Sequence, residues 1–183
     1  MNYQTYPHRY ADIILNSDYE LKKEVEEIIK SISYNDVLKE YEIQNISRKK
    51  IGKKEYQGKQ TLINSRFRED FIKKGWTLEK YVFENAEDNE QDLKLDFWKR
   101  NIGIDVAFNH RSFIGGDLLR LQASAEVTRI IKVGIYICAT KKFIKEISPK
   151  DGNSLVNFER TEWYLKNFYP VLTVPILLIG LTK

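Results

Sequence analysis

Two aspartates, Asp96 and Asp105, stand nine positions apart in the stretch LKLDFWKRNIGIDVAFNH, Leu93 to His110. Each sits in a run that alternates apolar and other residues, as a β-strand does. Leu93, Leu95 and Phe97 alternate around Asp96, and Ile102, Ile104, Val106 and Phe108 around Asp105. A carboxylate on a buried strand is unfavourable without a partner. If Lys99 to Asn101 turn a hairpin, the two carboxylates meet on adjacent strands. Close carboxylates resist ionising together unless a cation lies between them. Mg²⁺ suits such a pair, since it takes one or two carboxylates with waters and phosphate oxygens. The chemistry that follows is polarisation of a phosphodiester and supply of hydroxide for in-line attack. The plain alternative is two surface acids at strand ends. Asp96 is expected to share a face with Lys94 and Trp98, and Asp105 with Gly103 and Ala107, whose small side chains leave room for a ligand.

The elements that must position this pair can be read on either side. Leu21, Val25, Ile28, Ile29 and Ile32 follow helical spacing over Ser17 to Ile32, with Ser17 or Asp18 as cap. NDVLKEY predicts a second, short helix. KQTLINSRFREDFIKKG predicts a third, with Leu62, Ile63, Phe67, Phe71 and Ile72 inward and Gly75 as its stop. WTLEKYVFE alternates as a strand, and NAEDNE is an acidic turn before the hairpin. DLLRLQASAEVTRI is amphipathic and helical, and KVGIYICA has the continuous apolar character of a strand covered on both faces. KKFIKEI is a short helix or turn, VNFERTEWYLKNFY a helix ended by Pro170, and PILLIGL a last buried strand. The predicted order is helices, a meander of strands, then helix–strand–helix–strand, which gives a mixed sheet with helices on both faces.

Composition bounds the partners. The 183 residues fit one domain, and 42% apolar with 31% charged residues is a globular balance with a real core. The net charge of +4 is compatible with a polyanion without requiring one. The basic excess gathers in ISRKKIGKKEYQGK, Ile46 to Lys59, where Arg48, Lys49, Lys50, Lys53, Lys54 and Lys59 face one acid, Glu55. This stretch reads as a solvated loop or as an arm on phosphates. The lone cysteine, Cys138, lies in an apolar run and reads as a small core residue in a reducing compartment, the cytoplasm. No apolar run is long enough to span a membrane, and the first ten residues lack the apolar segment of a signal peptide.

In order and spacing, the chain resembles the BglII-like branch of the PD-(D/E)XK restriction endonucleases. KLDFWKRNIGIDVAFN matches that family's hairpin, an Asp-Phe pair followed by an acid-x-x-aromatic-Asn stretch. GKQTLINSRFREDFIKKGW resembles the upstream helix, GGDLLRLQASAE the following one, KVGIYI the next strand, and TEWYLKNFYPVLTVPILLIGL the terminal helix, loop and strand. The resemblance covers about residues 58 to 181. It implies an α/β PD-(D/E)XK core with a mixed central sheet flanked by helices. The expected organisation is one domain over 1–183, with a helical and basic part at 1–57 and the nuclease core at 58–183.

By that resemblance Asp96 and Asp105 are the ligands of Mg²⁺, and the third motif position, normally Lys, Glu or Gln, is Ala107. A methyl group can neither orient water nor hold metal. Three explanations stay open: an engineered substitution that disarms cleavage, transfer of the role to Arg111 or Lys99, or a natural binder that has lost catalysis. Asn109 keeps the family's asparagine, and His110, Arg111 and Ser112 follow in the loop that the family places near phosphate and bases. There Arg111 can neutralise phosphate or read guanine, and His110 is either a general base or an exposed residue. Asp117 is expected to cap or open the next helix. Arg160, with Asn157, Thr161 and Lys166, lies in a region the family uses for DNA. However, NFYPVLTV replaces the usual Gly-rich loop, and an amphipathic helix packing Phe158, Trp163, Leu165 and Phe168 explains the region equally.

The resemblance implies a Mg²⁺-dependent, sequence-specific endonuclease of double-stranded DNA. It would be a type II restriction enzyme acting as a homodimer, with a cognate DNA methyltransferase as companion. Lys49, Lys50, Lys53 and Lys54 would add phosphate affinity. The alternatives are a catalytically inactive DNA-binding protein of the same fold and a Tyr-rich protein–protein interaction domain.

Overall fold

The structure, a computed structural model, describes residues 1–83 and 93–183. The acidic turn expected at 85–90 lies outside the described residues. Six strands, β1 (Asn2–His8), β2 (Thr77–Tyr81), β3 (Lys94–Lys99), β4 (Ile102–Val106), β5 (Val133–Ala139) and β6 (Ile176–Thr182), form one sheet in the order β1-β6-β5-β4-β3-β2. The pairs β4–β5 and β5–β6 are parallel and the other three antiparallel, so the sheet is mixed. All seven residues of β5 are buried, because a central parallel strand is covered on both faces.

Helices cover both sides. On one lie α1 (Ala11–Leu15), α2 (Tyr19–Ser31), α3 (Tyr34–Lys50), α4 (Gln60–Lys73) and α6 (Lys141–Ile147), packed with Ile104, Ile135, Ile137 and Ile179. On the other, α5 (Ile114–Glu126) and α7 (Phe158–Asn167) pack with Tyr136, Cys138, Ile176 and Leu178. The described residues contain no helix long and apolar enough to cross a membrane. Side-chain caps fix several starts: Ser33 accepts the Asp36 N–H, Thr140 the Phe143 N–H and Asn157 the Arg160 N–H. Gly75 ends α4 at φ 77, a left-handed turn that favours glycine.

Several expectations change. Asp18 stands at the start of α2 without a capping bond, and Ser17 donates to the Ile14 carbonyl. The second helix is not short: α3 runs for 17 residues and absorbs Arg48, Lys49 and Lys50 from the expected basic loop. Cations are favourable in a last helical turn, beside its free carbonyls. Ile72, expected inward, is 49% exposed, and Trp163 and Phe168 are exposed at 55% and 45%. The sheet also begins with a strand that its sequence hides. NYQTYPH forms β1 along the whole of β6, from Asn2↔Thr182 to His8↔Ile176. An edge strand tolerates Pro7, because one row of its N–H groups has no ladder to join. His8, at the end of β1, is buried and donates from Nε2 to the Leu172 carbonyl at 2.8 Å.

Candidate functional site

The β3–β4 ladder runs from Lys99↔Ile102 to Phe97↔Ile104, and one residue further Asp96 faces Asp105. There the regular pairing gives way to carboxylates. The Val106 N–H donates to Asp96 Oδ2 at 2.7 Å, and the Asp96 N–H points at Asp105 Oδ1 from 3.4 Å. Leu95 and Phe97 fall in opposite halves of the core, so β3 does not keep the simple alternation expected around Asp96. Asp105 is buried at 1% exposure, whereas Asp96 is half-buried.

A residue that sequence reasoning passed over completes the cluster. Arg120 of α5 donates from Nε to Asp105 Oδ2 at 3.1 Å and from Nη2 to Asp117 Oδ1 at 2.9 Å. Asp117 does not cap the helix. It is buried and accepts the Tyr136 hydroxyl at 2.8 Å and, more weakly, the Asn109 amide at 3.5 Å. The signal was present: Asp117 and Arg120 are opposite charges three apart on one helix, a spacing that pairs them.

Electrostatics mark the cluster as short of positive charge. Burial raises the pKa of Asp105 to about 7; Arg120 opposes the shift, while Asp96 and Asp117 add to it. Burial likewise raises Asp96, against the Val106 N–H and Arg120. Burial works to lower Arg120, but Asp105 and Asp117 outweigh it and the net shift is upward. Burial, then the charge of Asp117, holds the Tyr136 hydroxyl well above its usual range. Fully ionised, Asp96, Asp105 and Asp117 set three negative charges against the one guanidinium of Arg120, leaving two. A divalent cation matches that remainder. Among the described residues no three His, Cys, Asp or Glu side chains are grouped as metal ligands; an ion held by Asp96 and Asp105 alone would complete its shell with water and phosphate oxygens.

The restriction endonuclease BglII/BglIII family model matches residues 3–181 of the chain. The chain belongs to the BglII/BglIII restriction endonuclease family. Its fold is similar to that in the crystal structure of restriction endonuclease BglII complexed with a DNA 16-mer. The TM-score is 0.70 at 20% identity, over 100% of this chain and 77% of that one. No curated protein matches the chain.

Within this BglII/BglIII-family chain the remaining expected residues scatter. Ala107 lies just past the end of β4, 3% exposed, with its N–H on the Ile137 carbonyl at 2.8 Å. Gly103 leaves no room beside Asp105: a Cβ there would meet Leu95 Cδ1 at 2.7 Å and Ile131 Cγ2 at 2.9 Å, so the space is filled. Lys99 cannot stand in for position 107, since its ammonium is held at the hairpin's other end by Glu24 and the Lys74 carbonyl. Asn109, His110 and Arg111 are exposed in the loop between β4 and α5. His110 caps the next turn through Ser112, and the Arg111 N–H anchors the loop to the Ser154 carbonyl.

The basic residues form a separate feature. Lys49, Lys53, Lys54 and Lys150 line an open cleft of about 690 Å³ with Tyr41 and Tyr56. Lys50 ends α3 beside Lys49. Arg48 lies over the Tyr56 ring at 4.3 Å, which shapes one wall. Arg160 lies elsewhere again, on α7, in a cleft shared with Lys141, Asn157 and Trp163.

Proposed function

We propose that the chain is a type II site-specific deoxyribonuclease that hydrolyses phosphodiester bonds of double-stranded DNA with Mg²⁺. The observation that carries this reading is the pair Asp96 and Asp105 across β3 and β4, with Arg120 as the one guanidinium bonded among the three carboxylates Asp96, Asp105 and Asp117. Asp96 and Asp105 would hold the ion. Bound there, it would supply the positive charge that lets a phosphate approach two carboxylates and would make water a better nucleophile. The chain's own residues do the positioning. The Val106 N–H fixes one oxygen of Asp96, and the Arg120 guanidinium fixes one oxygen of Asp105.

DNA is the substrate that the family membership and the fold of a DNA-bound relative support. Lys49, Lys50, Lys53 and Lys54 would take phosphates at the α3 end, Asn109, His110 and Arg111 would meet phosphate or bases beside the acids, and Arg160 would add a contact from α7. We infer a homodimer, because α5 and α7 leave Leu119, Val127 and Trp163 exposed on one side of the sheet. We infer a single functional unit over 1–183, since β1 of the N-terminal part pairs with β6 of the core. A cognate DNA methyltransferase and a cytoplasmic setting complete the reading.

Ala107 favours a second reading, a catalytically inactive DNA-binding protein of the same fold. A buried methyl offers neither charge nor hydrogen bond at the third motif position. One experiment separates the two. The protein as it stands, Ala107→Glu, Ala107→Gln and Ala107→Lys are each incubated with long unmethylated DNA and Mg²⁺, and discrete fragments are sought on a gel. Fragments from a substituted form alone mean an endonuclease disarmed at position 107. Fragments from the unaltered chain mean that the other residues suffice. Salt-dependent DNA retention with no cutting by any form supports the inactive binder, and no retention at all leaves a protein–protein interaction domain.

A further inference from the structure

Asp96 and Asp105 are not equally accessible. Asp105 lies behind Arg120 and α5, while Asp96 opens into a cleft of about 330 Å³ bounded by α4, β2 and β3. The α4 wall of that cleft carries Thr61, Asn64, Ser65 and Arg68, all exposed. Positions 61, 64, 65 and 68 share one helix face. Two hydroxyls, an amide and a guanidinium therefore point the same way, with no acid in the stripe. Opposite them, Glu79 sits between the pairs Leu78↔Phe97 and Lys80↔Leu95 and is absent from the ladder, at φ 51. Its carboxylate holds Arg68 Nη1 at 3.1 Å, and both side chains are more than half exposed. An exposed pair of this kind is weak and exchangeable, whereas a guanidinium binds phosphate through two parallel hydrogen bonds.

We propose that the α4 stripe seats the phosphodiester strand that passes over Asp96, and that Glu79 holds Arg68 until a backbone phosphate takes its place. This rests on the DNA reading above and adds the direction of approach: the strand enters over α4, not over α5. A phosphate carried to two carboxylates needs donors on its far side, and the stripe supplies them where the accessible acid faces.

The test measures binding of a fluorescently labelled random-sequence duplex by the full chain, with Ca²⁺ replacing Mg²⁺, across about 50 to 200 mM salt. Arg68→Gln lowers the steepness of the log–log salt dependence by about one and weakens binding several-fold. Asn64→Asp, which sets an acid in the stripe, weakens it as well, and Glu79→Gln, which releases Arg68 and also removes the charge 3.8 Å from Lys94, tightens it more in the unaltered chain than in Arg68→Gln. Arg66→Gln is the control. Arg66 is on the same helix and is also paired, to Glu40 at 2.6 Å, but it does not line the cleft, so its loss leaves binding near that of the unaltered chain. Equal losses from Arg68→Gln and Arg66→Gln would reduce the effect to net charge and overturn the proposal. So would an unchanged Arg68→Gln when a Lys49, Lys53 and Lys54 triple alanine variant loses binding, a result that leaves DNA binding itself intact. If the unaltered chain shows no salt-dependent binding, the DNA reading fails and the stripe with it.

Discussion

Asp96 and Asp105 each reach across the β3–β4 pair, Asp96 Oδ2 accepting the Val106 N–H at 2.7 Å and Asp105 Oδ1 lying 3.4 Å from the Asp96 nitrogen. The strands therefore stop zipping where the acids begin, and the backbone steadies the carboxylates. This arrangement is held against electrostatic strain, and that strain is measurable.

The folded pKa of Asp105, about 7, exceeds the usual carboxylate value because of burial and the neighbouring acids. Between about pH 4 and pH 7 the folded state then binds more protons than the unfolded one, so this group's contribution to stability falls as pH rises through that window. Asp105→Asn removes the charge and keeps the shape. Its melting temperature should match that of the unaltered chain near pH 4 and exceed it by several degrees at pH 8. An identical difference at both pH values would contradict the assignment.

Divalent metal should act on the same charge. At pH 8, millimolar Mg²⁺ is expected to raise the melting temperature of the unaltered chain, since a ligand bound only by the folded state stabilises it. Asp105→Asn and Asp96→Asn should each remove most of that rise. Calorimetric titration of Mg²⁺ into the three proteins is the direct measurement, and equal heats from all three would place the ion elsewhere.

Arg120 has the opposite sign. Its side chain is 19% exposed and holds Asp105 and Asp117, whose side chains are 2% and 6% exposed. Arg120→Met leaves two buried acids without their cation, and breaking a buried pair this way costs about 3–5 kcal/mol. Chemical denaturation at pH 8 should show that loss. Adding Asp105→Asn to Arg120→Met should recover a large part of it, because the pair is then removed rather than broken. Additive losses would mean that Arg120 acts through packing alone.

Much of this was legible in the sequence, and the exceptions have physical causes. Elements with strong periodicity, such as Leu21 to Ile29 of α2 and the apolar runs of β5 and β6, stand where spacing put them. The Asp96–Asp105 hairpin was legible because an acid amid alternating apolar residues is conspicuous. β1 was not, because an edge strand needs only half of its residues covered and NYQTYPH carries no apolar alternation. Arg48 to Lys50 read as loop because charge, not periodicity, dominates there, although a last helical turn favours that charge. Arg120 escaped because its role depends on Asp105, 15 positions away, which only the crossing of α5 behind β4 brings near. The room expected at Gly103 was a misreading of what a missing side chain means: Leu95 and Ile131 had already moved in.

Gly180 is the same kind of close approach, on β6. A Cβ there would lie 2.5 Å from the ring of Phe158, at the start of α7. Gly180→Ala should therefore destabilise by about 1–3 kcal/mol through overpacking. A compensating Phe158→Leu should restore part of the loss, and denaturation of the single and double variants checks both.

The exposed apolar residues of α5 and α7 yield the last prediction. Leu119 and Val127 are 58% and 67% exposed, and Trp163 of α7 is 55% exposed, on the side of the sheet opposite α2 and α4. The ring of Trp163 already meets Tyr164 and Phe168 edge-on, giving a rigid aromatic surface of the kind enriched at protein interfaces. Scattered apolar exposure is ordinary, so the three residues' placement on one side of the sheet is what names the face to test. Light scattering at micromolar concentration should give twice the 21.7 kDa chain mass. Leu119→Glu with Trp163→Glu should give the single mass without lowering the secondary-structure signal, since neither residue belongs to the core. A double variant that still runs as a dimer would move the interface to another face, and an unaltered chain that runs as a monomer would remove the two-fold arrangement altogether.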